Sequence, residues 1–371
     1  MAILLEDTQG RQRLEALELA LVDRADELAV FLVFDRPGRL NERPSLANTY
    51  FAQRCATDTM LEQIIEALRS VGAYVELFED ERSFIQCLAE GRHLRLGREL
   101  MIAYNEIGFG IGPGAFEAGR KALIPLVADS FGITCANSGA YPCALTLHKF
   151  HSFRLLEALG FDVPPVWHFD QEAGWVGGEP PAGLKVIAKS TFEAWSVGVT
   201  EDSVFVFDES SEERLTAITA SIGQPVTVQE FVSGPEVCVP VFSCPERVVS
   251  PPVESILSKA PGDGDAVVTI DDNVTDGAIS YRRFEAESDL MRQLRSSALE
   301  VFDLFELGGA TRIDFRINSL GRPRLTDIAV SPGLEADGSV AGSLALLGFD
   351  HERFIRVVIA ATLGTRGLLP A

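Results

Sequence analysis

The chain has 371 residues, 46% hydrophobic and 23% charged, with a formal net charge of −22. This is enough apolar chain for two or three domains with substantial cores, and it excludes an intrinsically disordered protein. The acidic balance argues against nucleic acid or an anionic membrane as a partner, since both need a basic face; one phosphate-bearing small molecule held by a few local cations remains open.

Cys55, Cys87, Cys135, Cys143, Cys238 and Cys244 form no CxxC, and none stands at zinc-ligand spacing from a histidine. They are expected to be buried free thiols in a reducing compartment. The opening MAILLEDTQG has no basic n-region or long apolar h-region. No stretch reaches the ~18 apolar residues of a membrane span. A cytoplasmic protein is expected.

Leu14, Leu17, Leu21 and Val22 give one face of a helix over 11–27. Residues 29–34 (AVFLVF) read as a buried parallel strand, and the polar loop 35–48 follows its end. Thr59 and Glu62 have capping-box spacing ahead of a helix through Leu68. Residues 74–78 and 100–104 are further strands, with a short helix over 81–89 between them, so the pattern is βαβαβ. Gly108–Gly114 (GFGIGPG) fails as a dinucleotide fingerprint because Pro113 occupies the third glycine position. It is expected to be a loop before a helix over 115–130, followed by a short strand at 133–135. Asn137-Ser138-Gly139 leads to one helix over 145–159, closed by Gly160 and by Pro164-Pro165.

Beyond Val166 the pattern changes to a small α+β unit: a Gly/Pro-rich loop at 172–183, strands at 185–188 and 204–207, and a helix over 211–221. The small-residue loop 189–199 follows a strand and can aim N–H groups at phosphate. Strands at 226–232 and 237–242 are expected to pair as a hairpin through Ser233-Gly234-Pro235. Residues 261–276 are polar and aspartate-rich and are expected to be mobile. Helices over 288–307 and 351–363 flank the segment 310–340.

In that segment Arg312, Asp314 and Arg316 alternate with Ile313, Phe315 and Ile317, which predicts a strand with one polar and one apolar face. A turn at 318–321 leads into a second strand over 324–330. A hairpin centred between Leu320 and Gly321 sets Asp314 opposite Asp327. Like charges directly opposite are destabilising unless a hard cation lies between them, and Mg²⁺ favours carboxylate oxygens and brings a phosphate with it. Arg312 on the same face could hold an oxyanion.

Four pieces in this order resemble the ATP-grasp superfamily, and within it the D-alanine–D-alanine ligase-like carboxylate–amine ligases, over about residues 130–355. The resemblance implies an N-terminal α/β domain (1–141) followed by two α+β lobes (142–228 and 229–371) that clamp ATP. The first piece is Asn137-Ser-Gly with Leu147-His-Lys149, in which Lys149 would contact phosphates and His148 replaces the usual Asp. In the second, Lys189, Glu193, Ser196 and Gly198 match a Lys … Glu-Gly-Ser-Ser-x-Gly lid, while Ala194-Trp195 replaces Gly-Ser. A tryptophan beside the amino-acid pocket argues against alanine-sized specificity. In the third, Gln229, Glu230, Phe231 and Val232 resemble the adenine-lining hinge, and Glu236 resembles the acceptor of the ribose hydroxyls. The fourth resembles Arg-x-Asp … Glu-x-Asn-x-x-Pro-Gly: Arg312 and Asp314 match, Asp327 replaces Glu, and Ala329 replaces Asn. Gly333 and Ser339 match the turn that receives the second substrate.

The resemblance implies ATP and Mg²⁺ as cofactors, with Mn²⁺ as a substitute, and Asp314 and Asp327 as metal ligands. It implies Arg312, Lys189 and Ser196 as catalytic residues, and amino acids or small peptides as substrates. A homodimer is a candidate assembly. The implied chemistry is phosphoryl transfer to a carboxylate, then capture of the acyl phosphate by an amine with release of ADP and phosphate. A dipeptide or specialised-metabolite ligase fits the altered pocket better than a cell-wall enzyme. Ala329, and the lack of the Lys-Tyr pair common before this region, leave a second reading open: a catalytically weakened nucleotide-binding or regulatory protein. A third is phosphorylation without ligation.

Overall fold

The computed structural model describes residues 7–36, 56–105, 118–136 and 138–369. Cys55, Asn137, the glycine-rich 108–114 and all but the start of the 35–48 loop therefore lie outside the described residues.

The N-terminal part runs α1 (Asp7–Asp23), β1 (Leu28–Val33), α2 (Asp58–Arg69), β2 (Tyr74–Phe78), α3 (Glu81–Ala89), β3 (Leu100–Asn105), α4 (Leu123–Ser130) and β4 (Thr134–Cys135). Its strands pair in parallel in the order β2-β1-β3-β4. Every residue of β1 is buried. Leu28, Val30 and Leu32 pack on one face with α1 and α2, and Ala29, Phe31 and Val33 pack on the other with Phe78, Phe84 and Ile124. A strand covered on both faces reads as a continuous apolar run. The cap of α2 is Thr57, not Thr59: its hydroxyl accepts from the Met60 N–H at 3.1 Å. Starting there puts Met60 and Leu61 on the buried face.

Instead of one helix over 145–159 there are two, α5 (Ala140–Leu147) and α6 (Lys149–Ala158). His148 leaves helical backbone at ψ 85 and accepts the His151 N–H at 3.4 Å, so an N-cap sits where the sequence pattern runs on. Lys149 thereby opens a helix.

The central lobe contains β5 (Val166–Asp170), β6 (Gly174–Val176), β7 (Lys185–Ser190), β8 (Val204–Val206), α7 (Ser211–Ile222) and β9 (Val226–Glu230). The strands form an antiparallel sheet in the order β6-β5-β9-β7-β8. The last lobe contains β10 (Glu236–Phe242), β11 (Val248–Val249), β12 (Val253–Leu257), α8 (Ile270–Val274), β13 (Ile279–Arg283), α9 (Ser288–Leu304), β14 (Ala310–Ile317), β15 (Pro323–Ala329), α10 (Ser339–Ala345) and α11 (His351–Thr365). Its sheet order is β13-β12-β10-β14-β15, with β11 on β10.

The expected hairpin of residues 226–242 does not form, because β9 and β10 belong to different sheets. The linker crosses between lobes at Gly234. With φ +136, a Cβ there would lie 1.8 Å from the Ile317 carbonyl oxygen, so only glycine fits. Residues 261–276, expected to be mobile, include a short helix and bond to distant segments. Thr269 and Asp272 form a capping box on α8, and Asn273 donates to the Trp195 carbonyl at 3.0 Å.

On β10, β14 and β15 the residues Val237, Val239, Ile313, Phe315, Leu325 and Ile328 share one core with Leu294, Ala298 and Phe302 of α9. The opposite face carries the polar side chains. The final helix α11 packs back on α1, where buried Glu18 pairs with Arg353 at 2.7 Å and Arg356 at 3.0 Å. Cys87, Cys135, Cys143, Cys238 and Cys244 are buried and unbridged. No described helix is long and apolar enough to cross a membrane.

Candidate active site

Alternation on β14 places Arg312, Asp314 and Arg316 on the face turned toward the central lobe, opposite Ala329, Asp327 and Arg324 of β15. On the other side they lie opposite Pro240, Cys238 and Glu236 of β10. The pairing of Asp314 with Asp327 holds as expected, but the strands reach it through a bulge. Phe315 pairs with Leu325, so Thr326 is the extra residue. Its carbonyl accepts from Lys189 Nζ at 3.1 Å, which ties the two lobes together.

A cavity of about 250 Å³ lies between the two sheets, and both contribute to its walls. Fifteen of the sixteen residues marked by the sequence line it: Lys149, Lys189, Glu193, Trp195, Ser196, Gln229, Glu230, Phe231, Val232, Glu236, Arg312, Asp314, Asp327, Gly333 and Ser339. Gly198 does not. A Cβ at Gly198 would meet Ile222 at 2.5 Å, so it serves loop packing rather than a ligand.

Lys189 Nζ also donates to Gln229 Oε1 at 2.9 Å. Burial lowers its pKa, with the Asp327 charge opposing. Lys149 Nζ donates to the Glu193 carbonyl, and the Glu193 carboxylate is buried against Arg120 and Gln224, so Glu193 anchors the loop. Trp195 and Ser196 hold φ of 60° and 56°, a left-handed pair that L-residues occupy at a cost and that is common in ligand clamps. Trp195 is half-buried at the cavity wall rather than in a core.

The Lys185 and Arg316 cations lie over the Phe231 ring, each 4.8 Å from its centre. Arg316 donates to the carbonyls of Val232, Gly264 and Ala266 and fixes the hinge to the 261–276 loop. Glu236 stands 3.5 Å from it. Ile187, Val199, Phe231 and Val267 form an apolar wall suited to a flat ring.

Arg312 bonds Asp314 through Nε and Nη2 at 3.1 and 2.8 Å and donates to Ser339 Oγ at 3.0 Å. Asp314 Oδ1 is buried with no hydrogen-bond partner. Burial pushes the Asp314 carboxyl up to about 6, Arg312 opposing and the Asp327 charge adding. For Asp327, burial is outweighed by Lys149, Lys189 and Arg312, which hold it below the usual carboxylate range. An orphaned buried carboxylate oxygen facing a second, ionised carboxylate fits Mg²⁺, which takes one or two carboxylates and completes its shell with phosphate and water. Ala329 supplies no ligand, while the nearby Ser331 hydroxyl is buried and unpartnered.

Several contributing residues carry no signal in the sequence pattern. Arg316 is visible only as part of an alternation, and Ile187 only as the residue two before Lys189. Tyr104, at the end of β3, donates to the Pro332 carbonyl at 2.9 Å, and His351 bonds the Leu334 carbonyl at 2.7 Å. The turn at Gly333 is thus held by the N-terminal domain and by α11. Tyr281 lines the cavity beside Arg312.

Two antiparallel lobes closing on a lysine- and carboxylate-lined cavity, behind a parallel α/β domain, define an ATP-grasp protein. The family model described as D-ala D-ala ligase C-terminus matches residues 156–360, more than half the chain, and the chain belongs to that family. It is 23% identical over 308 residues to a D-alanine–D-alanine ligase of Pseudomonas entomophila, covering 82% of this chain and 87% of that one. A D-alanine–D-alanine ligase of Glaesserella parasuis is 24% identical over 302 residues, covering 80% and 90%. The crystal structure of D-alanine–D-alanine ligase from Bacillus anthracis complexed with ATP is similar with a TM-score of 0.60 at 11% identity, covering 92% and 98%. VanG D-Ala:D-Ser ligase from Enterococcus faecalis gives 0.55 at 13% identity, with the same coverage.

Proposed function

We propose that this ATP-dependent carboxylate–amine ligase joins amino acids or small peptides through an acyl phosphate in the cytoplasm, and that its product is a dipeptide or specialised metabolite rather than D-alanyl-D-alanine. The observation that carries the reading is the convergence of Asp314, Asp327, Lys149, Lys189 and Arg312 from both lobes on one cavity.

In this reading a donor carboxylate oxygen attacks the γ-phosphorus of ATP, and the bond to the β-phosphate oxygen breaks to release ADP. Asp314 and Asp327 would hold Mg²⁺, which would supply charge neutralisation for the transferring phosphoryl group. Lys149 and Lys189 exchange their present carbonyl and amide partners for phosphate oxygens. The amine then attacks the acyl carbon, phosphate leaves with the donor oxygen, and the amine's surplus proton passes to solvent. Arg312 stabilises the tetrahedral oxyanion, a contribution of ~10²–10³ in rate. The loop at 190–198 excludes water from the acyl phosphate. Trp195 supports a donor or acceptor other than alanine, since it projects an indole where the dipeptide ligases it resembles carry serine.

The Ala329 position, opposite Arg312, favours the second reading of a catalytically weakened nucleotide-binding protein. ADP release with ATP, Mg²⁺ and pooled L- and D-amino acids separates the two. The ligase releases ADP when two amino acids are present together; the weakened protein binds ATP and releases none.

A further inference from the structure

The turn between β15 and α10 carries two carboxylates that the ligase chemistry leaves unused. Glu335 and Asp337 both line the cavity. The Glu335 carboxylate folds back over the turn, so that a Cβ on Gly333 would lie 2.0 Å from its Oε2, and Gly338 is 3.7 Å from the same oxygen on the same measure. Its other oxygen, Oε1, is buried with no hydrogen-bond partner. Just past the turn Ser339, the first residue of α10, accepts from Arg312.

We propose that the amine substrate carries a second positive charge, an ammonium or guanidinium, which Glu335 reads with Asp337 beside it; this rests on the ligase reading above. A carboxylate buried with one oxygen lacking a donor costs free energy, and a cation of the ligand that meets the carboxylate from the cavity side would recover part of it by charge attraction. The attacking amine is not that cation, because it gives up its ammonium proton to solvent before it reaches the acyl carbon and so cannot keep the pairing through the reaction.

Arg312 bonds both Asp314 and Ser339, so its guanidinium stands between the carboxylate pair and the end of the turn that carries Glu335. Burial and the Asp337 charge push the Glu335 carboxyl up to about 7, so a bound cation also fixes its ionised form at neutral pH.

The test is ADP release with ATP, Mg²⁺ and one donor pool, comparing acceptors matched in size: lysine, ornithine and arginine against norleucine, norvaline and citrulline, in both chiralities. The expected result is kcat/KM at least ~10-fold higher for the cationic set, with that ratio falling ~10–100-fold in Glu335→Gln. Asp337→Asn, at an exposed position, is expected to lower the ratio less; it serves as the second variant should Glu335→Gln fail to fold. Equal or better use of the neutral set, or a ratio unchanged in both variants, overturns this inference and leaves the ligase standing. A uniform slowing of all acceptors in Glu335→Gln would make Glu335 a proton acceptor and overturns it too. Absence of ADP with every acceptor overturns the ligase reading and this inference together.

Discussion

Asp314 and Asp327 stand directly opposite each other because Thr326 bulges out of the β14–β15 ladder. Without the bulge the pairing outside it, Phe315 with Leu325, would continue and set Asp314 against Thr326. One extra residue thus creates the carboxylate pair and turns a carbonyl toward Lys189. If the pair holds Mg²⁺, then Mg²⁺ with a non-hydrolysable ATP analogue stabilises the protein by ~2.7 kcal/mol at a hundredfold excess over Kd. In Asp314→Asn most of that ligand-induced shift is expected to vanish, measured against the variant's own melt without ligand. An equal ligand-induced shift in both proteins would remove Asp314 from the metal site.

Lys189 bridges the lobes through Gln229 and Thr326. Lys189→Ala is expected to lower kcat/KM for ATP by at least ~100-fold with retention of fold, since the buried ammonium is itself a burden on stability. Full activity in this variant would sink the assignment.

Trp195→Ser opens the cavity where the loop already holds φ of 60°. The expected change is in the ratio of kcat/KM between small and bulky amino acids, by ~10-fold or more, with KM for ATP within about twofold. A collapse of thermal stability instead would make the indole a structural group.

Glu18 is 4% exposed and holds two arginines of α11 on α1. Glu18→Ala leaves both guanidiniums without their buried partner and is expected to cost ~3 kcal/mol in denaturant unfolding. A loss below ~1 kcal/mol would mean that solvent replaces the pair.

The stacked rings of His148 and His151, 3.5 Å apart, sit at the start of α6. Burial, with the His151 and His168 charges adding, pushes His148 down to about 4, below its ordinary 6.5. The folded state therefore binds fewer protons than the unfolded one between those values. Stability that is full above pH 6.5 is lost as pH falls toward 4, by ~1–2 kcal/mol after solvent screening. His148→Asp replaces the ring-nitrogen cap with a carboxylate oxygen and is expected to flatten the decline in melting temperature between pH 7.5 and 5. An unchanged slope would place the acid sensitivity elsewhere.

What could be read from the sequence had a local period or a motif behind it. Alternation alone put Arg312, Asp314 and Arg316 on one face; hairpin arithmetic named the Asp314–Asp327 pair from a centre between Leu320 and Gly321, whereas the strands are centred on Leu320 and the bulge at Thr326 supplies the shift. Lys149, Lys189 and Glu236 followed from ordered motifs, and all three reach the cavity. The errors came where tertiary geometry overrides local pattern. Nothing local distinguishes a hairpin turn at Ser233-Gly234-Pro235 from a crossing between lobes; the close approach of Ile317 does. Polar composition at 261–276 suggested mobility, but Arg316 and Trp195 from distant segments hold that loop. Tyr104 lies 228 residues from the carbonyl it holds, a separation that no periodicity reveals.

The central claim is ligation through an acyl phosphate, and its most direct test follows the donor oxygen. With a donor amino acid labelled with ¹⁸O in its carboxylate, plus ATP, Mg²⁺ and acceptor amine, one ¹⁸O per turnover is expected in inorganic phosphate, matched one for one by ADP and amide. Unlabelled phosphate, or ADP formed at the same rate without any amine, would contradict the account.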